Sequence, residues 1–197
     1  MKNQIRHYTL LIILISLPGM IFAQAGTEKV SIIEWHSFAE AYKLNKKKPK
    51  KMFIDVYTDW CGWCKKMDRE TFQDPETAKY MQKHFYCVKL NAETKDTIVI
   101  DDTVKFVYSN PKGRGGNNQL AVELLKGKMS YPSYVFLNEK NQYLTMITGF
   151  YPAADFAPFI HYFGDDIYLN MKWEDYQASL KKNADKKATA PEPDKKK

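Results

Sequence analysis

The sequence predicts an α/β protein, a sheet with helices packed on both of its faces. Two observations carry this. Compact apolar runs suited to buried strands, Met52 to Tyr57 and Phe85 to Leu90, alternate with stretches of helical spacing. Then Tyr134 to Leu137 and Tyr143 to Ile147 read as two strands joined by the turn Asn138 to Asn141, a hairpin.

The elements follow in chain order. Residues 31–45 place Trp35, Phe38, Ala39 and Tyr42 at helical spacing, which predicts an amphipathic helix. The basic loop Lys46 to Lys51 separates it from the strand Met52 to Tyr57, whose one acid is Asp55. Cysteines 61 and 64 come next, and a helix is expected from Lys65 to Phe72. Asp74 can cap a further helix with Pro75 in its first turn, running from Thr77 to His84. After the strand Phe85 to Leu90, residues 94–116 alternate poorly and end in the turn-rich S-N-P-K-G-R-G-G-N-N. Gln119 to Lys126 reads as a helix stopped by Gly127. The hairpin follows, then Gly149, a helix from Ala153 to Phe163 and a short one from Trp173 to Leu180.

The chain has 197 residues, enough for one domain and appendages. At the N-terminus, Lys2, Arg6 and His7 precede an apolar run from Leu10 to Leu17, closed by Pro18-Gly19 and by Ala23-Gln24-Ala25. This pattern predicts a cleaved secretory signal over residues 1–25; the competing reading is an uncleaved anchor. The run falls short of the roughly 20 apolar residues that span a membrane. The domain is expected over residues 26–165, with a helical extension at 166–181 and a lysine-rich tail at 182–197 too polar to pack. The net charge of +7 lies mostly in these appendages, and residues 24–180 carry +1. A basic surface for nucleic acid is therefore not indicated. The tail reads as solvated, or as touching acidic surfaces or membrane headgroups.

Three cysteines, Cys61, Cys64 and Cys87, are too few for a disulfide-built scaffold. A structural zinc site needs four ligands. Besides Cys87, only His36, His84 and His161 remain beyond the N-terminal segment, and none forms a second close-spaced pair. A redox couple has better grounds. The first cysteine of a pair at a helix start meets free N–H groups and the positive end of the helix dipole, which favour its thiolate. The second, one turn on, can attack a mixed disulfide. Cys61 is then the nucleophile and Cys64 the resolving thiol. Cys87, alternating with Val88 in a strand, reads as a buried core thiol.

The segment F-I-D-V-Y-T-D-W-C-G-W-C-K-K-M resembles the active-site segment of the thioredoxin superfamily. Asp55 matches the family's buried acid six residues before the first cysteine, and Trp60 its preceding tryptophan. In V-K-L-N, Lys89 matches the lysine that pairs with that acid. In S-Y-P-S-Y-V-F-L, Pro132 matches the family's cis-proline, and Gly149 before the last helix fits too. The resemblance covers about residues 30 to 163. Thr71-Phe72-Gln73-Asp74-Pro75 is similar to a stretch in the C-terminal domain of the bacterial periplasmic disulfide reductase.

The resemblance implies a thioredoxin fold with a central mixed sheet, an insertion at 94–116 after the second core strand, and a thiol-disulfide oxidoreductase active through Cys61-Gly62-Trp63-Cys64. Asp55 would accept the Cys64 proton, with Lys89 as its electrostatic partner; a purely structural Asp55–Lys89 pair is the other reading. Trp60, Gly62, Trp63, Tyr131 and Pro132 would shape the substrate groove. The reaction would need no metal and no cofactor beyond the cysteine disulfide. The partners would be proteins with thiols or disulfides, and a membrane or periplasmic thiol electron donor or acceptor, and the location periplasmic or secreted. The expected direction is reduction. An oxidase or isomerase of exported proteins, or a non-catalytic binding module, are the alternatives. Gly62-Trp63 and Tyr131 depart from the family's common residues, and the tip of the insertion reads equally as docking loop or idle loop.

Overall fold

The computed structural model describes residues 33–189 except 112 and 114; the expected signal and the last residues of the tail lie outside them. A five-stranded sheet runs through the domain in the order β1 (Trp35–His36), β3 (Phe85–Asn91), β2 (Lys51–Tyr57), β8 (Ser133–Leu137), β9 (Tyr143–Thr148). β1, β3 and β2 are parallel, while β2–β8 and β8–β9 are antiparallel. This is the mixed sheet and hairpin expected.

Side chains alternate across a strand, and β2 divides the core accordingly. Met52, Ile54 and Val56 point into an aliphatic layer with Val88, Leu90 and Val135, covered by α1 (Phe38–Lys47) and α4 (Gln119–Leu124). Phe53 points into an aromatic layer with Phe72, Phe85, Tyr134, Phe136 and Phe156, covered by α2 (Gly62–Glu70), α3 (Pro75–His84) and α5 (Ala153–Gly164). Phe53 is fully buried and meets Phe72, Phe85, Phe136 and Phe156 edge to face, at centroid distances of 5.3–6.4 Å. Such contacts add about 0.5–1.5 kcal/mol per pair beyond the area buried. By the same alternation Asp55 falls on the aromatic side, under α2. Cys87 is buried on this side too, and burial pushes its thiol up to about 12, so it is inert.

Three expectations need correction. The first helix begins at Phe38, not within residues 31–37. Ser37 accepts from the Glu40 N–H while the Glu40 carboxylate accepts from the Ser37 N–H. This capping box sets the start, and it leaves Trp35 to pair with Cys87 in β1. Phe38, Ala41 and Asn45, rather than Ala39, are its buried residues. Residues 94–116 are not an irregular loop: β4 (Ile98–Ile100) pairs with β5 (Val104–Phe106), and β6 (Tyr108–Ser109) pairs with β7 (Asn117–Asn118). Finally, α6 (Trp173–Thr189) runs past residue 181 into the stretch expected to be tail. Trp173 anchors it, stacked at 4.7 Å on Phe159 and edge-on at 5.1 Å to Tyr162.

Candidate functional site

Strand β2 ends at Tyr57, and the chain turns through Thr58, whose carbonyl accepts from the Cys61 N–H at 3.1 Å. Cys61 is then the N-cap of α2. Its Sγ accepts from the Cys64 N–H at 3.1 Å, the place a serine or aspartate oxygen takes in an ordinary cap. The two cysteines form a disulfide with Cα atoms 5.3 Å apart. Cys61 is 4% exposed, and Cys64 lies deeper. When the bond opens, the N–H and the helix dipole bear on the Cys61 sulfur and favour its thiolate.

Beneath the pair, parallel pairing of β2 with β3 sets Asp55 beside Lys89. The lysine Nζ lies 2.8 Å from Asp55 Oδ2 and forms an ion pair with it; among the described residues the carboxylate has no other polar partner. Asp55 is 1% exposed. Burial raises its pKa to about 6, against the pull of Lys89. Burial also works against the lysine's charge, but its two carboxylates outweigh that and raise its pKa. The second carboxylate is Asp68 of α2, which hydrogen-bonds the same ammonium from the solvent side. Sequence reasoning missed it. The available signal was its place four residues after Cys64, on the same face of the helix. The rings of Trp35, Tyr57 and Phe72 lie 4.9, 5.2 and 5.6 Å from the ammonium and screen it from water.

Above the pair the surface is aromatic. Trp60 and Trp63 are 66% and 58% exposed. Trp63 lies 5.5 Å from Phe150, and the Lys66 ammonium sits over both rings. Gly62 has open space where a Cβ would stand, so the helix start between the tryptophans is uncluttered. The Tyr131–Pro132 bond is cis, as expected. The Pro132 carbonyl accepts from the Gly149 N–H at 3.0 Å, with Gly149 at φ +104°, a conformation glycine adopts freely. Tyr131 meets Trp60 edge to face at 5.8 Å. The structure thus joins expected site residues in pairs, Cys61 with Cys64, Asp55 with Lys89 and Trp60 with Tyr131, with Pro132 in the cis loop. It adds Asp68, and Glu93, Asn117 and Phe150 as neighbours of Trp60, Tyr131 and Trp63. Phe150 directly follows Gly149; nothing local in the sequence marks Glu93 or Asn117. Among the described residues no group of three or more His, Cys, Asp or Glu side chains is placed to hold a metal ion.

Known proteins resemble this chain in part. Mouse spermatogenesis-associated protein 20 is 28% identical over 96 residues, which cover 48% of this chain and 12% of that protein. Thiol:disulfide interchange protein DsbD of Salmonella typhimurium is 28% identical over 122 residues, covering 60% of this chain and 18% of that protein. The chain therefore aligns with under a fifth of either relative's length. Among solved structures, a thioredoxin-fold protein from Helicobacter pylori superposes with a TM-score of 0.51 at 18% identity, over 68% of this chain and 81% of that one. A DsbH oxidoreductase does so with a TM-score of 0.50 at 20% identity, over 73% and 92%. These likenesses establish the thioredoxin fold. A family model named Thioredox_DsbH, with the description "Protein of unknown function, DUF255", matches residues 22–190. That match takes in every strand and helix of the described residues, and the chain belongs to this thioredoxin-like family.

Proposed function

We propose that the chain is an exported thiol-disulfide oxidoreductase that reduces disulfide bonds in other exported proteins. The observation that supports this reading is a set of groups on α2 and β2: a cysteine capping a helix, its disulfide partner one turn on, and a buried carboxylate with a pKa of about 6 whose lysine partner also binds Asp68 of the same helix. Each has a task. The Cys61 thiolate attacks one sulfur of the substrate disulfide; a mixed disulfide forms, and the other substrate sulfur leaves as a thiolate and takes a proton. Asp55 then accepts the Cys64 proton, and the Cys64 thiolate attacks Cys61 Sγ. The second substrate sulfur leaves, and the Cys61–Cys64 disulfide is made. Two electrons pass from protein to substrate, and a thiol partner must restore them.

An ionised Asp55 is the acceptor, so the resolving step quickens as pH rises through about 6. Lys89 keeps that pKa from climbing further. The direction of export is supported by the N-terminal pattern of residues 1–25, and no helix among the described residues is long and apolar enough to cross a membrane.

Substitution of Cys64 by alanine tests the reading in cells. An oxidoreductase accumulates mixed disulfides through Cys61; a binding module of the same fold keeps its partners and traps none. Equilibration with glutathione fixes the direction. A potential near about −270 mV marks a reductant, and one near about −120 mV marks an oxidant and reverses the proposed direction.

A further inference from the structure

Beside the cis-proline, the inserted segment and the cleft share a set of polar contacts. The Tyr131 hydroxyl donates to Asn117 Oδ1 at 3.0 Å. Burial raises that phenol to about 12, with the charge of Glu93 adding to it, so at neutral pH it is a donor. The Trp60 indole N–H donates to Glu93 Oε2 at 3.1 Å. Trp60 and Tyr131 meet edge to face. The chain Glu93–Trp60–Tyr131–Asn117 thus lines one side of the cysteine pair, with Glu93 just before the inserted hairpins and Asn117 in their last strand, β7.

The ends are firmly held. Ala92 donates to the Tyr57 carbonyl at 2.8 Å and accepts from the Asn118 N–H at 2.7 Å. Asn118 is fully buried; its Nδ2 donates to the Asp96 carbonyl at 3.0 Å, and its Oδ1 accepts from the Leu120 N–H at 3.0 Å. Gln119 exchanges bonds with Val107 in both directions. At Gly116 a Cβ would lie 2.1 Å from the Ser109 carbonyl oxygen, so the small sheet closes only around glycine. A loop without a task has no need of this buried anchoring, and its two polar tips reach two residues of the cleft.

The geometry points to the inserted segment as one wall of the substrate cleft, with Asn117 a positioning residue that fixes Tyr131 for an extended segment of a substrate protein. This inference rests on the oxidoreductase reading. Tyr131 packs against Trp60, which directly precedes Cys61, so a chain bound at the cysteines would meet its ring. A Tyr131 ring free to turn would lose that register, and Trp60 would lose the neighbour its edge packs against. The effect belongs to polypeptide substrates, because a small disulfide reaches Cys61 without crossing the wall.

The test uses the mature chain, with insulin as the protein disulfide and glutathione disulfide as the small one. Asn117→Ala is expected to lower kcat/KM toward insulin by about 3- to 10-fold, mostly through KM, the range expected for losing one hydrogen bond. Its rate with glutathione disulfide and its reduction potential are expected to stay unchanged. Asn117→Asp, which keeps the acceptor, should restore most of the loss. Combined with Tyr131→Phe, Asn117→Ala should cost no more than either change alone. Equal losses on both disulfides, no loss on insulin, or fully additive losses in the double variant each overturn the inference. Gly116→Ala tests the wall from its backbone, by forcing apart the Ser109–Asn117 pairing that holds Asn117, and it should reproduce the selective loss; an unaltered insulin rate in a folded Gly116→Ala protein counts against the wall. If the wild-type protein reduces neither disulfide, the oxidoreductase reading itself has failed, a result separate from any of these.

Discussion

On the inner side of α2, Asp55 is withdrawn from water and held by Lys89, which Asp68 meets from the solvent side; on the outer side, Trp60 and Trp63 stand in solvent, each fastened by groups from elsewhere in the chain. The floor is set by the register of two neighbouring strands, which fixes Asp55 opposite Lys89 with no freedom to slip. The rim is assembled from α2, the cis-proline loop, the turn between β9 and α5 that carries Phe150, and the two ends of the inserted segment. A floor of this kind acts on sulfur chemistry common to every substrate. A rim of this kind acts on what polypeptide can lie across it. The difference teaches that reactivity and selectivity are separable here, and substitutions should split along that line.

The largest effect is expected at the nucleophile. Cys61→Ser should abolish exchange with small and protein disulfides alike, because a serine hydroxyl is not ionised near neutral pH; residual turnover in a reduction assay would contradict the assigned order of attack. Next comes Asp55→Asn. Loss of the proton acceptor should slow resolution of the mixed disulfide by about 100-fold or more, equally for both substrate sizes, and a rapid-quench experiment would detect the accumulated intermediate. The same variant carries a stability signature. The Asp55 pKa is raised in the folded protein from 3.8 to about 6. Its contribution to stability is therefore whole below pH 3.8 and is lost as pH rises through about 6. At pH 8 the ionised, buried carboxylate costs on the order of 3 kcal/mol, and asparagine removes that cost. Urea unfolding at pH 8 should show Asp55→Asn to be the more stable protein, with the gain fading at pH 4. An equal gain at both pH values would place Asp55 outside the floor as described.

Lys89→Met sharpens the floor further. Without the ammonium, burial alone acts on Asp55, and the acidic limb of the pH–rate profile should move to higher pH than in the wild type. An unmoved limb would mean that Asp68 and not Asp55 is the partner that matters to Lys89. The smallest effects are expected on the rim. Trp60→Ala and Trp63→Ala should each weaken binding of insulin by about 2- to 10-fold, with a lesser effect on glutathione disulfide. Equal effects on both would erase the division between floor and rim.

Floor and rim also differ in what the sequence tells of them. Asp55, the cysteine pair and Lys89 stand in three short segments whose residue types carry their own chemistry, and strands Met52 to Tyr57 and Phe85 to Leu90 are plain apolar runs. Sheet register then does the rest. Pro132 was legible through its resemblance to a family loop. Asn117 was not, because a hydrogen bond between residues 117 and 131 depends on how two small sheets fold back, and the strands β4 to β7 are two or three residues long. Such strands carry too few residues for alternation to register. The first helix was misplaced for another reason. Trp35 happens to fit helical spacing with Phe38 and Tyr42, and the Ser37–Glu40 capping box, which was present in the sequence, outweighs it. α6 runs on past its expected end because residues 181–186, though polar and exposed, are compatible with helix.

The placement of the indoles has a consequence for how the protein can be watched. Trp60 and Trp63 adjoin the cysteines, and Trp35 lies 4.9 Å from the Lys89 ammonium, whereas Trp173 is stacked on Phe159. A disulfide beside an excited indole drains its emission by taking up an electron. Opening the Cys61–Cys64 bond should therefore brighten the native fluorescence without any label. Trp60 and Trp63, two of the four tryptophans in the chain, then form an optical gauge of oxidation state, and Trp173 serves as its internal reference.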